Sequence, residues 1–236
     1  MRSVFVTGTG TGVGKTVVAA AIANTARRAG RDVAVFKPAV SGLDDLPPNP
    51  EVWKSAPRLP DHALLRLAAG SNQADDEVAP YRFGPPVSPH LAAGMAGERI
   101  DPDRLRAAAL AAEAEADVLV CEGVGGFLVP LTVDYLVRDL ACDLGMPVVI
   151  AASPGLGTIN HTLMTIEAVR RAGLDVAVVV LTPWPVRPGS MERSNRETIA
   201  GLGEVEVEVL PGLDLRLPRS WPALAPPGDE RRLEAA

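Results

Sequence analysis

The sequence predicts a three-layer α/β protein: a mostly parallel sheet with helices on both faces. Three observations carry that prediction. Short, wholly apolar runs such as Val118-Leu119-Val120 and Val148-Val149-Ile150 recur along the chain, as strands buried on both faces require. Longer helical stretches separate these runs, and strand–helix alternation leads to parallel pairing. The first apolar run passes directly into a glycine-rich turn and then a helix.

Each element has its own signal. Residues 3–7 are the first strand, and residues 17–29 an alanine-rich helix stopped by Ala29-Gly30. Val33–Phe36 is the second strand. The proline-rich residues 46–60 are too polar and broken for a core element and read as an exposed loop. Asp61 is expected as the N-cap of a helix through Ala69. Ser88-Pro89-His90 opens a helix of small residues. Asp101-Pro102 opens another, with Asp as cap and Pro in the first turn. Residues 117–122 and 147–152 are buried strands, residues 158–172 a helix and residues 176–181 a strand. Residues 204–209 alternate glutamate with valine, which predicts an edge strand. From Arg216 on, proline, charge and small residues dominate. One domain over residues 1–215 and a loosely held tail over 216–236 are therefore expected. No internal repeat is visible.

The composition narrows the function. Across 236 residues, 47% are hydrophobic and 22% charged, ordinary for a soluble domain. A net charge of −6 without a Lys/Arg cluster argues against a nucleic-acid partner. No apolar run reaches membrane-spanning length, and no charged leader with a cleavage site is seen, so a cytoplasmic protein with no membrane partner is expected. Cys121 and Cys142 are too few for a disulfide framework and lack metal-site spacing; Cys121 reads as buried filler in a strand.

The strongest chemical signal is Gly8-Thr9-Gly10-Thr11-Gly12-Val13-Gly14-Lys15-Thr16, followed by Val17. Between a strand and a helix, such a loop turns backbone N–H groups toward phosphate, sends a lysine to the terminal phosphates and offers a hydroxyl to Mg²⁺. The usual spacing leaves four residues between the first glycine and Gly-Lys; here Gly8 and Gly14 enclose five. The fold class is accordingly the P-loop NTPase type. Lys37, at the end of the second strand, faces the same crevice by position, with Ser41 close behind. Glu122 ends a buried strand ahead of Gly123, Gly125 and Gly126, where a carboxylate suits a hard cation beside phosphate. Asp61 is the candidate second carboxylate, with Asp44 and Asp45 as competitors. Gly155-Leu156-Gly157-Thr158-Ile159-Asn160 is a glycine-bounded helix start able to hold an anionic substrate group. His90 and His161 are isolated and carry no assignment alone.

Taken in order, these segments resemble the dethiobiotin synthetase family over roughly residues 3 to 200. The long phosphate loop, Lys37-Pro38 with Ser41-Gly42, Asp61, Pro80-Tyr81, Ser88-Pro89-His90, Glu122-Gly123-Val124-Gly125-Gly126 and Leu156-Gly157-Thr158-Ile159-Asn160-His161-Thr162 carry the resemblance. It implies an ATP-dependent ligase that takes up CO₂ or bicarbonate on one amine of 7,8-diaminopelargonic acid. A carbamate and a carbamic–phosphoric mixed anhydride precede ring closure to dethiobiotin. It also implies Mg²⁺ held by Thr16, Asp61 and Glu122. Lys15, Lys37, Thr11 and Ser41 would act on the reacting groups. Nucleotide would meet residues 8–17, Glu122, Gly125, Gly126, Thr182, Pro211, Gly212 and Leu213. Substrate would meet Thr11, Lys37, Ser41, Ser88 and Glu122. The family is a homodimer, so Gly157, Thr158, Ile159 and Asn160 would receive the substrate tail from the other subunit. Leu181-Thr182-Pro183-Trp184-Pro185 lacks the Asn with which some relatives read a purine, which leaves CTP open beside ATP. A cobyrinic-acid-type amide synthetase would need a further glutaminase domain, and a partitioning ATPase would carry an additional lysine early in the loop, where Gly8, Thr9 and Gly10 stand.

Overall fold

The computed structural model describes residues 3–44 and 59–224. Its six strands are β1 (Val4–Gly8), β2 (Val33–Phe36), β3 (Val118–Glu122), β4 (Val148–Ala152), β5 (Val176–Trp184) and β6 (Val207–Pro211). They form one sheet in the order β2-β3-β1-β4-β5-β6, with every pairing parallel. The helices are α1 (Lys15–Arg28), α2 (Asp61–Ala69), α3 (Asp75–Val78), α4 (Pro89–Met95), α5 (Pro102–Ala114), α6 (Val137–Leu144), α7 (Thr158–Arg171) and α8 (Ser190–Gly203).

Strand periodicity divides the core in two. Val4 and Val6 of β1 face α1 and α2, whereas Phe5 faces the layer built from α4 to α8. Alanines crowd α1 because the helix packs almost wholly buried against the sheet and α2. The chain leaves β1 toward β2 on one side and later leaves β3 toward β4 on the other. The carboxyl end of β1, between β3 and β4, is thus the point where the winding reverses and a crevice opens.

The edge strand β2 is held by a side chain. Gln73 accepts from Val35 N–H at 2.8 Å and donates to Val35 C=O at 3.1 Å, as a neighbouring strand would. Val78 C=O then accepts from Lys37 N–H at 2.8 Å, which fixes the backbone that carries the lysine.

Several expectations need correction. Pro60, not Asp61, is the N-cap of α2; Asp61 is the first helical residue and makes no capping bond, because its carboxylate turns to Lys37. The edge strand β6 does border the sheet, but it spans Val207–Pro211, and β5 runs on to Trp184. Helices α6 and α8 went unread: the first is short, and the second has a mainly polar sequence. Residues 216–224 are mostly exposed but are tied to the body at a few points. Trp221 and Leu224 are buried, and α1 donates from Asn24 to Pro218 C=O and from Arg28 to Trp221 C=O. Asp45, most of the proline-rich loop and residues 225–236 lie outside the described residues.

Candidate active site

The glycine-rich loop leaves β1 and closes at Gly14, the N-cap of α1. Gly14 has φ +94°, and a Cβ there would lie 2.6 Å from Cγ2 of Thr182 on β5, so only glycine fits. Lys15 folds back over the loop and donates to Gly10 C=O at 2.7 Å. Burial, and then the nearby Lys37 ammonium, lower its pKa to about 8. Terminal phosphates would reverse that balance by supplying negative charge where the loop supplies none.

Beside the loop, β2 and β3 bring together two opposite charges. The register places Phe36 against Cys121, so Lys37 and Glu122 emerge side by side at the carboxyl edge. Lys37 Nζ donates to Glu122 Oε1 at 2.5 Å and lies 3.0 Å from Asp61 Oδ2. The Lys37 side chain is 4% exposed and that of Glu122 0%, whereas Asp61 is about half exposed at 47%. Burial works against the Lys37 charge, but the Asp61 and Glu122 carboxylates outweigh it and hold the ammonium above its ordinary pKa. Burial likewise opposes ionisation of Asp61, yet Lys37 keeps that carboxyl below its ordinary value. For Glu122 burial wins, and its pKa rises despite Lys37.

The residues present fit a hard cation. Thr16 Oγ1 donates to Glu122 Oε1 at 2.9 Å, and Asp61 lies beside Thr16 as well as Lys37. Glu122 Oε2 is buried without a hydrogen-bond partner, an oxygen left available for a metal. Among the described residues no group of three or more His, Cys, Asp or Glu could hold a metal. A cation here would therefore depend on Thr16, phosphate oxygens and water as well as two carboxylates, the habit of Mg²⁺. Asp44 packs instead against Gly84.

A cavity of about 260 Å³ adjoins the loop. Thr9, Gly10, Thr11 and Val13 line one side, and Ser153, Gly155, Leu156, Thr158 and His161 the other. The start of α7 thus faces the phosphate loop within one chain. Gly157 caps α7 with φ +90°. Asn160 is exposed, Ile159 packs toward the core, and the Thr158 hydroxyl pairs with that of Thr162 at 3.3 Å. Ser41 sits in a segment paired with residues 81–85, and Ser88 caps α4 just beyond it. Gly126 lies against the loop, where its Cβ would stand 3.5 Å from Gly8 C=O, whereas Gly125 packs against Val129. Pro211, the last residue of β6, and Gly212 are exposed, while Leu213 is buried against the α1 side of the sheet. His161, isolated in the sequence and without an assignment of its own, lines the cavity; Ser153 is not singled out by the sequence, and its position just beyond the β4 carboxyl end is the available signal.

A family model described as "AAA domain" matches residues 2–213. A protein named ATP-dependent dethiobiotin synthetase BioD from Anaeromyxobacter dehalogenans strain 2CP-1 is 45% identical over 77% of this chain and 76% of its own. Proteins of the same name from Bacillus velezensis and Mycobacterium sp. strain KMS are 34% and 37% identical. They cover 91% and 90% of this chain, and 88% and 89% of their own. Among solved structures, the MinC:MinD cell division protein complex of Aquifex aeolicus and a ParA family ATPase of Chlorobium tepidum each superpose with a TM-score of 0.54 at 14% identity. The alignments cover 90% and 93% of this chain, and 82% and 93% of theirs, and they show a shared P-loop fold. With its long phosphate loop, its Lys37–Glu122 pair and relatives of this identity along most of its length, the chain belongs to the ATP-dependent dethiobiotin synthetase family.

Proposed function

We propose that the protein closes the ureido ring of dethiobiotin, using ATP to carboxylate 7,8-diaminopelargonic acid with CO₂ and releasing ADP and phosphate. The observation that carries this reading is Lys37, buried between Glu122 and Asp61 beside the end of the phosphate loop, where Thr16 bonds the same Glu122 oxygen. A carbamate formed on one amine is anionic, as is the γ-phosphate that must reach it. Lys15 and Lys37 offset that repulsion and stabilise charge during transfer. Thr11 and Ser41 orient the carbamate end, with Ser88 nearby. Residues 8–17, Gly125 and Gly126 hold the phosphates, and Thr182 with residues 211–213 borders the base. Mg²⁺ bound by Thr16, Asp61 and Glu122 would neutralise triphosphate charge. Holding both amines beside one activated carbon supplies the proximity that ring closure needs.

The substrate carboxylate goes to the start of α7. In the homodimer that belongs to this reading, that helix start is contributed across the subunit interface. The exposed apolar side chains of Leu128, Leu156 and Met164 support a further contact surface on this side. Among the described residues no helix is long and apolar enough to cross a membrane.

The test is direct. Purified protein is mixed with 7,8-diaminopelargonic acid, bicarbonate, Mg²⁺ and either ATP or CTP, and dethiobiotin is sought by mass. Product establishes the chemistry, and the ratio of the two rates reports how the base is read. Absence of product from protein that still binds nucleotide rejects the proposal.

A further inference from the structure

The cavity wall opposite the phosphate loop is the segment of residues 153–157 that joins β4 to α7. Glycines at 155 and 157 give this segment wide backbone freedom. That freedom is removed from outside. Asn195 of α8 is 7% exposed, and its side-chain amide donates to Pro154 C=O at 2.9 Å and Gly155 C=O at 3.2 Å. An amide nitrogen carries two hydrogens, enough for both bonds. Gly155 C=O also accepts from Thr158 N–H, at the first residue of α7, at 3.2 Å. One carbonyl therefore joins α8, the cavity wall and the start of α7. Helix α8 is itself seated closely, since a Cβ on its Gly203 would lie 2.9 Å from Ile166 of α7.

We infer that Asn195 is a positioning residue for the amine substrate: it holds residues 154–157 in the shape that faces the phosphate loop. The inference rests on the proposed reading of the α7 start, tied to Asn195 through Gly155, as the receiver of the substrate carboxylate across the subunit interface. Asn195 has its bonds to the cavity wall and none to the phosphate loop, so it governs amine affinity and leaves nucleotide affinity alone.

Asn195→Ala and Asn195→Asp test this in steady-state assays with each substrate varied. Aspartate keeps the size of asparagine but, ionised, has no hydrogen to donate, which separates donation from packing. Both variants are expected to raise the KM for diaminopelargonic acid about tenfold, with kcat and the KM for ATP held within about twofold. Hydrogen exchange on the ligand-free proteins should show faster exchange over residues 153–159 and no change over residues 8–17. An Asp variant matching wild type, or an equal loss in every kinetic parameter, overturns the inference. A wild-type protein that makes no dethiobiotin rejects the substrate reading instead. The exchange measurement then still decides whether Asn195 orders the segment, and unchanged exchange there overturns it.

Discussion

Lys37 and Glu122 are buried charges that satisfy each other, so removing either has two separable effects. Lys37→Ala is expected to lower kcat by about 10² to 10³-fold, the usual scale for a lost electrostatic contact to a transferring group. It should also lower stability by on the order of 3 kcal/mol, because Glu122 at 0% exposure is left with one hydrogen-bonding partner, Thr16. Wild-type turnover in a folded Lys37→Ala protein would reject its role. Glu122→Gln keeps the shape and an acceptor oxygen but removes the charge. The Mg²⁺ concentration for half-maximal activity should rise about tenfold or more, and an unchanged metal titration would remove Glu122 from the cation site. These two side chains were legible in the sequence because each ends a strongly apolar run, and a polar residue there has one place to go. The role of Asp61 was harder to read. A carboxylate at a helix start has a ready explanation as a cap, and only the folded chain shows that it turns to Lys37 instead.

At the scale of elements, α7 and the segment after β6 make different predictions. Gly157 begins α7 in a left-handed conformation that a β-branched side chain rarely adopts. Gly157→Val should distort the helix start and raise the KM for the amine substrate more than that for nucleotide, measured by varying each in turn; equal changes would place the substrate elsewhere. The segment from Leu213 to Leu224 binds α1 through Trp221, whose indole N–H donates to Asp214 C=O at 2.8 Å. Trp221→Ala should cost about 3–5 kcal/mol in unfolding free energy, read by denaturant titration. A loss under about 1 kcal/mol would mean that the segment adds little to the fold. Composition hid this element: proline and charge read as a tail, and two buried anchors, Trp221 and Leu224, are too few to register as a pattern. Helix α8 is hard to read for a related reason, since of its 14 residues only Asn195, Ile199 and Gly203 are buried.

For the whole molecule, the strands and their parallel arrangement were readable because continuous valine-rich runs suit a sheet covered on both faces. Strand order was not, since parallel strands separated by helices carry no local mark of their neighbours. That order sets the crevice, and ligand binding there should stabilise the entire domain. With Mg²⁺ present, nucleotide at about a hundred times its Kd should add about 2.7 kcal/mol, a shift of several degrees in Tm. Comparing ATP with CTP in a thermal melt ranks the bases without any turnover, and no shift with either would remove the loop from nucleotide binding.

The winding of the chain also separates its two poles. Helix α1 starts at the phosphate loop and runs back toward the opposite edge of the sheet, where Leu224 N–H meets the Thr25 hydroxyl at 3.0 Å. Ser3, just ahead of β1, lies at that same far edge and accepts from Leu119 N–H at 3.1 Å. A tether joined at Ser3 would hold the molecule by its back, leaving the crevice beside the phosphate loop turned toward free solution. The protein is therefore suited to immobilisation on a bead or sensor surface through this point.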